Sequence, residues 1–134
     1  MTNGVTLERA QKIVAAACKE AQKMGVPMNI AVVDAGNNLA AFVRMDGAWL
    51  GSIEIAQNKA FTARAFDMET KELGPLAEPG QPLYGIESTN AGKVIIFGGG
   101  IPLKSGEHVV GAIGVSGGQP DQDHKVAQAG AAAF

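Results

Sequence analysis

The 134-residue chain contains one cysteine, two histidines, one tryptophan and one tyrosine, and it has no basic run and no long apolar run. A single thiol, Cys18, excludes an intrachain disulfide framework and every CxxC metal or redox motif. A net charge of −2 with no basic stretch interleaved with aromatics gives no footprint for nucleic acid. The apolar stretches are too short to span a bilayer, and no leader-like segment precedes Gly25, so a cytoplasmic location and no membrane partner are expected. Aromatic rings are only 5% of the chain, which leaves few broad surfaces for a large flat ligand.

What is abundant is glycine, 18 residues of it, within a composition that is 46% hydrophobic and sufficient for one core. Thr6 is suited to cap a helix whose apolar stripe Leu7, Ala10, Val14, Ala17 or Cys18, and Ala21 ends at Gly25 and Pro27. Met28–Val33 and Leu39–Met45 predict two strands joined through Asp34-Ala35-Gly36-Asn37-Asn38, a stretch of turn-forming residues. Helices follow at Gly51 to about Phe66 and at Thr70–Leu76, then a proline- and glycine-bounded loop from Ala77 to Asn90. Val94–Phe97, the neighbourhood of Ile101–Lys104 and His108–Val115 predict three more strands. Pro120 opens a final helix, with Asp121 and Asp123 at its positive end. The order predicts a single α+β domain over 1–134, with an antiparallel sheet of about five strands and helices on its faces.

The segment from Val94 to Gly118 holds three glycine clusters. A phosphate-cradling loop is excluded there, because Leu103 stands where a glycine must precede Lys104-Ser105 and Pro102 lacks an amide donor.

Four stretches, IAVVDAGNNLAAFVRMDGA, SIEIAQNKAFTARAF, YGIESTNAGKVIIFGGGIP and VVGAIGVSGGQPDQDHKVAQAGAAAF, occur in order and together resemble the GlcG/HbpS family. That family includes haem-binding HbpS-like proteins and is similar to the C-terminal domain of PduO-type corrinoid adenosyltransferases. The resemblance implies a profilin-like fold, a homo-oligomer and, for some members, haem or iron binding tied to oxidative stress or cofactor supply. Other members belong to glycolate or diol catabolism. The resemblance also implies a ligand that can come from the first helix, which here contains no His and offers only Cys18 and Met24.

Read as chemistry, His124 is the foremost metal-ligand candidate, since the start of a helix disfavours imidazolium and leaves the ring neutral. Its bland alternative is a capping or solvated residue beside Asp121, Asp123 and Lys125. His108 opens a strand, where an exposed ring needs no role. Cys18 lies on an apolar stripe and reads as a small buried hydrophobe. Arg44, Lys59, Arg64 and Lys93 are cations available to haem propionates. Lys59 and Arg64 lie off the polar face of their helix, so each needs a carboxylate, with Asp34 and Asp46 as candidates, or an anionic ligand.

Tyr84 and Glu87 occupy the proline-bounded loop, Gly99 and Gly100 offer backbone amides, and Trp49 is placed to cover a site or anchor an interface. Three functions compete: a haem- or tetrapyrrole-binding oligomeric accessory protein with His124 as ligand, an enzyme or binding protein for a small anionic metabolite, and an oligomeric scaffold. In the second, Arg44, Lys59 and Arg64 hold the anion and Asp34, Glu87 or His124 moves a proton.

Overall fold

The computed structural model describes residues 4–134, so the first three residues of the expected domain lie outside it. The chain runs α1 (Leu7–Met24), β1 (Asn29–Asp34), β2 (Leu39–Arg44), α2 (Gly51–Phe66), α3 (Thr70–Leu76), β3 (Gly100–Ser105), β4 (His108–Ser116) and α4 (Pro120–Ala132). Two single-turn 3-10 segments, Ile86–Ser88 and Asn90–Gly92, interrupt the loop after α3.

Local chemistry sets the boundaries. Thr6 accepts a hydrogen bond from the Arg9 amide at 3.2 Å, and Gly25 ends α1 at φ 72°, returning its N–H to the carbonyls of Ala21 and Gln22. Leu7, placed on the stripe by spacing, is exposed, whereas Ala10, Ile13, Val14, Ala17 and Ala21 are buried. The carboxylate of Asp34 accepts from the amides of Gly36 and Asn38, and Asn37 takes the left-handed conformation at φ 64°, so the β1–β2 turn is built by the side chain at its start.

The sheet is antiparallel throughout, in the order β2-β1-β4-β3. Alternation along β1 divides the core: Ile30 and Val32 pack with α1 and α4, while Ala31 and Val33 pack with Ala60 and Ala63 of α2. Fully burying Ile30 or Val32 contributes about 1.5–3 kcal/mol each. The α2 face is made of small residues, and Gly114 of β4 lies where a Cβ would strike the Ala56 carbonyl. That close approach lets α2 sit flat on the sheet.

The sheet has four strands among the described residues, not about five. Val94–Phe97 has strand composition yet forms no strand: the Ile95 amide donates to Thr62 Oγ1 at 3.0 Å, while the Thr62 hydroxyl donates to the Asn58 carbonyl at 2.8 Å, with the Lys93 carbonyl 3.2 Å away. The segment is tied to α2 by a side chain instead of by a neighbouring strand.

Candidate functional site

Lys59 is wholly buried and donates from Nζ to Asp123 Oδ2 at 2.9 Å and to the Val115 carbonyl at 2.8 Å. Asp123 is buried too, and its other oxygen accepts from the Gly118 amide at 2.8 Å. The Phe97 ring lies 5.0 Å from the ammonium. Gly99, at φ 130°, makes room for the chain, since a Cβ there would stand 2.7 Å from Nζ. The bridge joins α2 to α4 across the layers. Burial pushes the lysine pKa down and the aspartate pKa up, and each partner opposes the other's shift. Lys59 therefore has a carboxylate partner, as its position requires, but the partner is Asp123 and neither Asp34 nor Asp46.

The other expected site residues are spread over the molecule. Arg44 donates to the Ala48 carbonyl at 3.2 Å and lies opposite Asn29, at the open end of the β1–β2 hairpin. Arg64 donates to the Ala35 carbonyl at 2.8 Å, in the turn at the far end, and pairs with Asp67 at 2.6 Å. Five strand residues separate the two ends, roughly 16 Å, so Arg44 and Arg64 do not converge on one anion. Asp34 holds its turn. Tyr84 and Glu87 are exposed on the loop after α3. Gly99 accepts from the Val115 amide and Gly100 donates to Thr70 Oγ1 at 2.9 Å, which commits these glycines to the β3 edge. His108 is exposed at the β3–β4 turn.

Two cavities hold the remaining candidates. His124 is 9% exposed, and neither ring nitrogen has a hydrogen-bond partner. With Lys71, Gly98, Pro120 and Asp121 it lines a cavity of about 260 Å³. Burial holds the imidazole pKa below its usual value, and the Lys71 charge lowers it further against a smaller opposing effect of Glu69. Both effects favour the neutral ring. On the α1 side, Cys18 lines an open cavity of about 400 Å³ with Gln22, Val43, Arg44, Met45 and Asp46. Burial pushes the Cys18 thiol pKa up. Sequence spacing gave no sign that Cys18 and Arg44 share an opening, nor that Lys71 approaches His124, since both pairings arise only from the packing of distant elements. No three Asp, Glu, His or Cys side chains among the described residues group as a metal cluster.

A family profile described as "Haem degrading protein HbpS-like" matches residues 5–132. An uncharacterized 15.0 kDa protein from the dhaT-dhaS intergenic region of Citrobacter freundii is 40% identical over 92% of this chain and 87% of its own length. The crystal structure of Klebsiella pneumoniae protein ORFY superposes with a TM-score of 0.96 at 42% identity, covering 98% of this chain and 90% of that one. A PduOC:heme complex superposes at 0.93 with 38% identity, covering 97% and 94%.

Proposed function

Since the chain belongs to the GlcG/HbpS-like family, we propose that it is a haem-binding accessory protein that works as a homo-oligomer in the cytoplasm, serving oxidative-stress protection or cofactor supply. The observation that carries this reading is the near-identity of its backbone to that of a relative solved as a haem complex.

The fit of haem to this chain is a question of donors and space. The opening at Cys18 brings a sulfur donor and the Arg44 guanidinium to one cavity, which suits an iron ligand and a propionate. Its open side leaves the rest of a macrocycle to lie against a second copy of the chain. His124 is the competing donor. Its ring is neutral, as ligation requires, but both nitrogens are enclosed and its cavity is smaller than the usual range for ligand pockets. A planar macrocycle would reach it only after the ring swings outward. Haem itself, when bound, supplies the redox and ligand-binding chemistry; the protein's part is to ligate, orient and shield it. Arg44 would hold the charged edge, and Val43 and Met45 would give apolar contact.

Titration of the apoprotein with haemin, followed at the Soret band, tests the reading. Saturation at a fixed ratio per chain is expected, with affinity at least tenfold weaker and a shifted band in Cys18→Ala, and weaker binding in Arg44→Met. An unchanged spectrum in Cys18→Ala together with a changed one in His124→Phe moves the ligand to His124. Absence of saturable binding to the wild-type protein overturns the function. Cys18 is half-buried, not the fully buried residue its place on the stripe suggests, and because its thiol must lose a proton to ligate, affinity through Cys18 should rise as pH is raised from 7 toward 9.

A further inference from the structure

We propose that the cavity between α3 and the start of α4 binds a small organic carboxylate, held by Lys71 and His124. The site is separate from the opening at Cys18, so the inference goes beyond the haem reading and does not rest on it.

Four observations meet there. His124 is more than nine-tenths buried and lines the cavity with both ring nitrogens unpartnered, an arrangement that buried polar groups seldom keep without a ligand to satisfy them. The cavity stands at the N-terminus of α4, a 13-residue helix whose dipole favours negative charge. Lys71 contributes a side chain that is 53% exposed and only loosely engaged, its Nζ 4.0 Å from Glu69. The rest of the wall is Gly98, Pro120 and Asp121, of which the first two offer surfaces for carbon.

Two carboxylates oppose an anion, Glu69 beside Lys71 and Asp121 on the rim. At the imidazole, however, the Lys71 charge acts more strongly than that of Glu69. The volume of about 260 Å³ admits an acid of a few carbons and excludes a nucleotide or a macrocycle. Lys71 would pair with the carboxylate. The neutral His124 ring, turned about its Cβ–Cγ bond, would donate an N–H to the carboxylate or to a hydroxyl beside it, and the carbon chain would lie on Pro120 and Gly98. This is a different anion site from one built on Lys59 and Arg64.

The test is NMR of the His124 ring during titration with propionate, lactate and inorganic phosphate at constant ionic strength. Saturable shifts with the carboxylates, weakened at least tenfold in Lys71→Met and unaltered in Lys125→Met, are expected. Lys71 is exposed, so its variant folds. No saturable shift, equal affinity in Lys71→Met, or phosphate binding as tightly as the carboxylates would overturn the proposal. Haemin titration of the same Lys71→Met protein separates the two sites. Retained haem affinity with lost acid binding supports two independent ligands, whereas competition between propionate and haem would show one shared site and remove the carboxylate assignment. Acid binding by a protein that fails to take up haem would sink the haem reading alone.

Discussion

Lys59 shows how one residue can look functional in sequence and be structural in space. A lysine amid apolar helix neighbours must find a carboxylate, and it finds Asp123 at 2.9 Å, 64 positions away. Removing only the cation would leave Asp123 charged and buried, so Lys59→Met should destabilise by about 3–5 kcal/mol in urea unfolding. The double variant Lys59→Met/Asp123→Leu should regain much of that loss, and failure to do so would mean the pair is not the source. His124 gives a separable pH signature. Its pKa is lowered on folding, so the unfolded chain binds more protons below about pH 6.5. The stability that the neutral ring contributes is complete above that value and is lost as pH falls toward the folded pKa. Comparing melts at pH 7.5 and 5.0, His124→Phe should lose less stability on acidification than the wild type; equal losses would contradict the buried neutral ring.

At the scale of elements, what was legible was what local chemistry decides. The Thr6 cap, the Gly25 terminus, the Asp34 turn and the proline-led α4 all depend on residues within a few positions of one another. Val94–Phe97 misled because its β-branched content suits a strand as well as a half-buried loop, and only the presence of Thr62 beside it decides whether its amides meet a strand or a side chain. The candidate site was less legible still, since Cys18 with Arg44 and Lys71 with His124 meet only through sheet order and helix docking. The glycines divide on the same principle. Gly114→Ala would drive a methyl into the Ala56 carbonyl and lift α2, costing about 1–3 kcal/mol or more, whereas Gly51→Ala, with open space and ordinary φ, should be neutral or stabilise slightly. Thermal unfolding of the two variants checks the contrast, and equal melting temperatures would refute the close α2–sheet approach.

At the scale of the molecule, the loop between α3 and β3 is the least self-sufficient part. From Glu78 to Lys93 nearly every residue is exposed, and the backbone–backbone hydrogen bonds that shape the segment are turns within it, apart from one from the Leu83 amide back to Leu76. It displays Tyr84 at 68% exposure, and Trp49 and Leu50 are as exposed elsewhere on the surface. Large aromatic groups gain little from water, and Tyr and Trp are the side chains that anchor protein interfaces. If these surfaces are joined in a homo-oligomer, light scattering of the purified protein should give a mass that is a multiple of 13.7 kDa. Tyr84→Ser and Trp49→Ser should each lower that mass without altering the far-UV circular dichroism, because neither ring belongs to the core. The haem opening, which is open on one side, would then lose affinity in whichever variant dissociates the copies, while a monomeric wild-type protein that binds haem fully would show that no second chain is needed.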